Sequence, residues 1–215
     1  MTDFNKYISS VFLAFLVFST PLKAQDIWIS PDLPFLDFEI GDNFYLIERG
    51  QDNSAFVASV YPPKATRPCP PYCIQPINLA EDVTTVGEVE LVNFIMDYVI
   101  PGEGYLIDAR VETWYKSGTI PGAINLPFNM FAADDNNPFL SQILLLLGGE
   151  QNADGAWVYP DAKSLLLFCN GPDCGQSPRA VRNLLKSGYP ADKLYYYRGG
   201  MKTWTKFGFS ILIPE

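Results

Sequence analysis

Four cysteines and no histidine set the chemistry open to this chain of 215 residues. Without an imidazole, Ser-His-Asp and Cys-His nucleophilic pairs are excluded, as is every histidine-ligated zinc, copper or iron site. A thiol can be activated differently, because amide dipoles and a helix N-terminus lower it toward thiolate without a partner base. Cys169 has the sequence context for this. It follows Ser164 to Phe168, a continuous apolar run of the kind expected for a strand buried on both faces. It precedes Asn170, Gly171, Pro172, Asp173, Cys174, Gly175, Gln176 and Ser177, a loop in which every residue except Pro172 offers a backbone N–H. A capped helix follows. Cys169 is thus the candidate nucleophile, and Asn170, Gly171, Asp173, Cys174, Gly175, Gln176 and Ser177 form an amide cradle for an anion. The cradle is expected to hold the Cys169 thiol below its free value of about 8.5. A thiolate there attacks a sulfane sulfur, and the same donors hold the persulfide.

The other cysteines admit several readings. Cys174 is a resolving thiol for oxidised Cys169, its structural disulfide partner, or a small apolar filler. Cys69-Pro70-Pro71-Tyr72-Cys73 reads as a small disulfide pinning a proline-rich loop, or as a lid or docking surface over the cradle. Of the three possible connectivities the two local bridges are expected, Cys69 to Cys73 and Cys169 to Cys174. The spacings do not match a four-cysteine metal site, and neither metal nor cofactor is expected.

The elements that must position this loop are legible from periodicity. Thr85 and Glu88 make a capping-box pattern ahead of Val89, Val92, Phe94, Ile95 and Val99 at helical spacing. Tyr105 to Ile107 is a short strand that delivers Asp108, Ala109 and Arg110 to its C-terminal end, and Ile124 to Leu126 is another. Asn137-Pro138 opens a helix that stops at Gly148-Gly149. Ser177 as N-cap and Pro178 as first residue start a helix with Ala180, Val181, Leu184 and Leu185 on its apolar stripe. A last strand, Leu194 to Tyr197, leads through Arg198-Gly199-Gly200 into a short helix with Trp204. Alternating strands and helices predict an α/β fold with a parallel sheet, whose sites gather at the carboxyl ends of the strands. Asp108, Arg110 and Arg198 lie at such ends, and Arg198 is read as pointing toward the cradle or as stabilising its turn.

Residues 85–215 are read as the main domain and residues 25–84 as an N-terminal extension. In the extension, Phe44 to Ile47 and Phe56 to Tyr61 are expected to form a hairpin around Gly50, Asp52 and Asn53, before the proline-rich stretch. Ile8 to Phe18 is apolar or small, follows Lys6 and precedes Pro21 and Ala24, so residues 1–24 read as a secretory signal. The run falls short of the roughly 20 residues of a membrane span. The expected location is the periplasm or another exported compartment, with no membrane association after signal cleavage. The chain carries 15 basic against 24 acidic residues with a formal charge of -9, and no basic cluster, which excludes nucleic acid as an expected partner.

Asp108-Ala109-Arg110, the segment Gly118 to Pro127 (GTIPGAINLP), the post-strand Cys169, Gly188-Tyr189, Arg198-Gly199-Gly200-Met201 and Trp204, taken in order, resemble the rhodanese (sulfurtransferase) family over about residues 85–212. The resemblance implies a five-stranded parallel sheet flanked by helices. It also implies a cysteine, Cys169, that becomes a persulfide and passes sulfur from a small anion such as thiosulfate to cyanide or a protein thiol, with Asp108 and Arg110 supporting the loop or the incoming anion. Thr119 stands where the family usually carries histidine, and the loop is longer than the common sulfurtransferase loop. Related phosphatases of this fold clamp phosphate with an arginine inside the loop. None lies between Cys169 and Ser177, and Arg179 would have to reach back. Two alternatives to steady sulfur transfer follow: a thiol-disulfide, redox-gated protein using Cys169 and Cys174 with a redox partner, and a non-catalytic binding module.

Overall fold

The computed structural model describes residues 32, 34, 36–40, 43–47, 68–132 and 137–214. The predicted signal segment, residues 1–24, and the strand predicted at Phe56 to Tyr61 lie outside them.

Two short strands, β1 (Leu36–Ile40) and β2 (Asn43–Ile47), pair antiparallel with Leu36 opposite Ile47 and Ile40 opposite Asn43. The strand expected at Phe44 to Ile47 is present as β2, and its pairing with the preceding β1 was not expected. The pairing expected with Phe56 to Tyr61 lies outside the described residues. Gly41-Asp42 between β1 and β2 is a two-residue hairpin signal in the sequence.

The main sheet has five parallel strands: β3 (Thr84–Val86), β4 (Gly104–Asp108), β5 (Ala123–Asn125), β8 (Ser164–Phe168) and β9 (Leu194–Tyr197), in the order β3-β9-β8-β4-β5. A two-stranded ribbon, β6 (Glu150–Gln151) with β7 (Trp157–Val158), sits in the connection that precedes β8. Helices cover both faces. On one lie α3 (Leu140–Leu146) and α4 (Gln176–Lys186), against Ile107, Leu165, Leu167 and Tyr196. On the other lie α1 (Glu88–Phe94) and α5 (Gly200–Lys206), against Leu106, Leu166, Phe168 and Tyr197. The short α2 (Glu112–Lys116) follows β4.

All five residues of β8 are buried, which is why the run shows no polar alternation: in a central parallel strand both pleat faces meet helices. Each buried leucine contributes roughly 1.5–3 kcal/mol of transfer free energy. Leu165 and Leu167 face α3 and α4 while Leu166 and Phe168 face α1 and α5. The alternation turns the next residue, Cys169, toward α4.

Two helix starts differ from expectation for related reasons. Thr85 does not cap α1. It lies in β3, opposite Tyr196, and its hydroxyl donates to the Ile77 carbonyl. The cap is Gly87, whose N–H is accepted by the Glu90 carboxylate at 3.1 Å. Ser177 likewise is not the cap of α4. Gly175 takes that position and Ser177 falls in the first turn, fully buried. Both hydroxylated residues fit the capping pattern locally, but Thr85 is claimed by a tertiary partner and Ser177 is buried in the first turn with its hydroxyl unpartnered among the described residues. Beyond α1 the chain continues through a π-helical turn, Ile95–Val99, before Pro101 and Gly102 end it.

Candidate active site

The carboxyl ends of β4 and β8 bring the predicted residues together. Asp108 and Arg110 are 0% and 3% exposed and form a buried ion pair, with Arg110 Nη2 2.6 Å from Asp108 Oδ2 and Arg110 Nε 2.9 Å from Oδ1. Buried charges must be fully paired, and here they are. Thr119 donates its hydroxyl to Asp108 Oδ2 at 2.8 Å, and Arg110 Nη2 also donates to the Gly118 carbonyl at 2.6 Å. Thr119, at the position where the resemblance predicts histidine, is thus a buried structural donor. Arg110 Nη1 reaches Asn170 Oδ1 at 3.4 Å, so the pair touches the cysteine loop directly. Its role is structural support beneath the loop.

The loop is held from two more sides. The first turn of α5 donates to it, Met201 N–H to the Cys169 carbonyl at 3.0 Å and Lys202 N–H to the Asn170 carbonyl at 2.9 Å. Gly200 makes this approach possible. It has φ +57°, and a Cβ there would sit 2.3 Å from the Cys169 carbonyl oxygen and 2.6 Å from the Gly171 nitrogen. Gly200→Ala is expected to cost about 1–3 kcal/mol from the left-handed backbone alone, with more from displacing the loop. Urea unfolding checks this; an unchanged midpoint overturns the close-packing account. On the other side, Gln75 N–H donates to the Pro172 carbonyl at 2.7 Å, tying the Cys69–Cys73 segment onto the loop.

Cys69 and Cys73 are joined by a disulfide. The second expected bridge is not formed: Cys169 and Cys174 are free, buried thiols. Cys169 Sγ lies 3.5 Å from the Cys174 carbonyl oxygen and within hydrogen-bonding reach of the Cys174 thiol. Turning the loop back places the sulfurs together without closing them, with Cys174 N–H bonded to the Gly171 carbonyl at 2.9 Å.

The electrostatics correct the expectation of a depressed Cys169. Burial pushes its thiol well above the ordinary value, and the adjoining Cys174 adds to the rise; the Ser177 hydroxyl and N–H oppose it. The depressed thiol is Cys174, lowered to about 7 chiefly because it accepts a hydrogen bond from Cys169, with help from the Gln176 and Asn170 amides. The amide cradle therefore exists, but its donors are divided: Ser177 serves Cys169, and Asn170 and Gln176 serve Cys174. Desolvation outweighs a single amide at the deeper sulfur. In this geometry the Cys169 S–H donates to the Cys174 carbonyl oxygen, and Cys174 is the more acidic of the two thiols.

Of the two thiols, Cys174 lines a cavity of about 340 Å³ with Asn170, Asp173, Gly175 and Gln176; Cys169 does not. Pro71, Tyr72, Trp114, Phe128 and Arg179 complete its wall. The Asp173 carboxylate pairs with Lys202. Gly171 contributes its carbonyl to the loop turn. Arg198 is not on this wall: its Nε donates to the Gln75 carbonyl at 2.8 Å, and it lines a neighbouring cavity. Arg179 escaped the sequence reading as a site residue, although its place four residues after the helix cap Gly175 puts both on one helix face. For the aromatic wall the sequence offers no signal, because the contacts are long-range.

Comparison with known proteins follows the same pattern. Among curated proteins none matches the chain. Solved structures resemble its fold. A Rhodopseudomonas palustris protein described as a possible tyrosine phosphatase is 18% identical over 63% of this chain and 89% of its own, with a TM-score of 0.44. A rhodanese-related protein from Thermoplasma volcanium is 15% identical over 61% and 99%, with a TM-score of 0.39. A human single-domain sulfurtransferase is 22% identical over 58% and 96%, with a TM-score of 0.38. The family model for the rhodanese-like domain matches residues 90–207, a span that holds α4 and α5, four of the five sheet strands, the Asp108–Arg110 pair and both free thiols. By that match the chain belongs to the rhodanese-like domain family.

Proposed function

We propose that the protein is an exported sulfurtransferase that moves sulfane sulfur from a small anion such as thiosulfate to a thiol or cyanide acceptor through a persulfide on Cys169. The observation that carries this reading is the position of Cys169. It sits at the carboxyl end of the central buried strand, under the first turn of α4, with the Ser177 hydroxyl and N–H directed at its sulfur. Ser177 Oγ and the Tyr196 hydroxyl are buried and have no hydrogen-bond partner among the described residues. Ser177 is a donor held ready for a more anionic sulfur than the thiol.

Cys174 supplies what the missing histidine cannot. As a thiolate in contact with the Cys169 S–H, it takes that proton as Cys169 attacks the sulfane sulfur of thiosulfate. The sulfur–sulfur bond of thiosulfate breaks, sulfite leaves with the electron pair, and Cys169 carries the outer sulfur. Proton transfer between two thiols in contact needs no further residue. Asp108 and Arg110 hold the loop through Asn170.

The contact between the two sulfurs also favours a second reading, in which oxidation closes Cys169 to Cys174 and stops transfer. One experiment separates them. Incubating the reduced protein with thiosulfate is expected to add the mass of one sulfur, mapped to Cys169 by peptide analysis. A reversible loss of two hydrogens with no sulfur gain supports the redox reading, and neither change supports a binding module.

A further inference from the structure

Beside the cavity lined by Cys174 lies a larger one of about 710 Å³, and three arginines line it: Arg179, Arg182 and Arg198. In a chain of formal charge -9 with 15 basic residues, three guanidiniums on one wall are a local reversal of sign. Arg179 and Arg182 are one turn apart on α4, and Arg198 follows β9. None of the three has an ion-pair partner among the described residues. Asp32 is the one carboxylate on the wall. The Nε of Arg198 is fixed by the Gln75 carbonyl at 2.8 Å, which leaves its two terminal nitrogens for another acceptor. Pro70, Pro71, Cys73, Ile74, Gln75 and Pro76 of the disulfide segment also line it. The two cavities share Pro71, Gly175 and Arg179, which connects the larger one to the cavity at Cys174.

The volume is that of an organic ligand, in the general range of about 300–1,000 Å³ for such sites, and far exceeds what a four- or five-atom inorganic anion fills. Planar guanidiniums match carboxylates through paired N–H donors. Resting on the sulfur-transfer reading, we propose that this arginine pocket binds the carboxylates of an organic thiol that is the sulfur acceptor, with the thiol directed into the cavity at Cys174. In the transfer step the acceptor thiolate attacks the outer sulfur of the Cys169 persulfide. A new sulfur–sulfur bond forms on the acceptor, the bond to Cys169 Sγ breaks, and Cys169 leaves as thiolate. No outside oxidant or reductant is consumed.

The test compares mercaptosuccinate, which carries two carboxylates, with uncharged 2-mercaptoethanol as acceptors for persulfide loaded from thiosulfate. Each rate is normalised to that thiol's rate with a free small-molecule persulfide. Mercaptosuccinate is expected to show a kcat/KM at least about tenfold higher, an advantage of about 1.4 kcal/mol or more. Arg182→Ala is expected to remove most of that advantage by raising KM for mercaptosuccinate, while transfer to 2-mercaptoethanol stays within about twofold. Equal normalised efficiencies, or an advantage that survives both Arg182→Ala and Arg198→Ala, overturn the proposal. Should thiosulfate fail to load the protein at all, the sulfur-transfer reading fails on its own. Calorimetric titration with tricarballylate then judges the pocket: binding lost in Arg182→Ala sustains a carboxylate site, and no binding to the wild type refutes it.

Discussion

Cys169→Ser is expected to reduce thiosulfate-dependent sulfur transfer by about three orders of magnitude or more, because a serine oxygen cannot carry the persulfide and Cys174, the other free thiol, serves as proton acceptor rather than nucleophile. Serine preserves size and hydrogen bonding at a site that is 2% exposed, so the folded protein should survive the change and its unfolding midpoint serves as the control. The partner variant, Cys174→Ala, gives a graded answer. If the Cys174 thiolate takes the Cys169 proton, its loss costs on the order of 10²-fold at neutral pH, the lower end of what a positioned base contributes. The pH dependence carries the sign. Cys174 is lowered to about 7, so in the wild type the base form is lost as pH falls through that value, and the rate below it drops about tenfold per pH unit. In Cys174→Ala the remaining thiol is still pushed up by burial, and the rate should keep rising well into the alkaline range. A Cys174→Ala enzyme with the wild-type profile would refute the proton-acceptor role. Retained turnover in Cys169→Ser would remove Cys169 as the nucleophile.

The contrast between these thiols marks where sequence reading stopped. That Cys169 follows a buried strand and precedes a helix was legible, since five consecutive buried residues leave a hydrophobic run and the helix leaves a stripe at Ala180, Val181 and Leu184. The order of motifs gave the sheet, including the ends of β4 and β9. The relative acidity of the two thiols was not legible. It depends on depth, and depth is set by which way a nine-residue loop folds back, here through Cys174 N–H to Gly171 and through contacts from α5 and Gln75. Local patterns also misassigned Thr85 and Ser177 as helix caps, because a hydroxyl that fits a cap equally fits a tertiary acceptor or a buried position inside the first turn. The arginine wall was hidden for the same reason. Arg179 and Arg182 share a helix face by periodicity, but Arg198 joins them only through the parallel pairing of β9 with β8.

Arg110→Leu is expected to destabilise the fold by about 3–5 kcal/mol, the largest stability effect of any single substitution proposed, because it leaves the fully buried Asp108 carboxylate without its countercharge. The size of the effect lies in the number of elements that converge there. Arg110 bonds Asp108, the Gly118 carbonyl and Asn170, while Asn125 on β5 donates to the carbonyls of both Asp108 and Arg110 at 2.9 Å. Two side chains thus join the ends of β4 and β5 to the cysteine loop. The cost is mainly that of the orphaned charge, so removing both charges should be milder than removing one. Asp108→Asn combined with Arg110→Leu is expected to recover a good part of the loss, with a favourable coupling of about 1–3 kcal/mol in the double-mutant cycle. Urea denaturation of the four proteins measures it. Additive losses would mean that the pair acts through packing alone, and the carboxylate would then not be the reason that the loop needs Arg110. Even where stability recovers, the double variant lacks the contact to Asn170, so sulfur transfer should stay below wild type; full recovery of both would separate the ion pair from the site it supports.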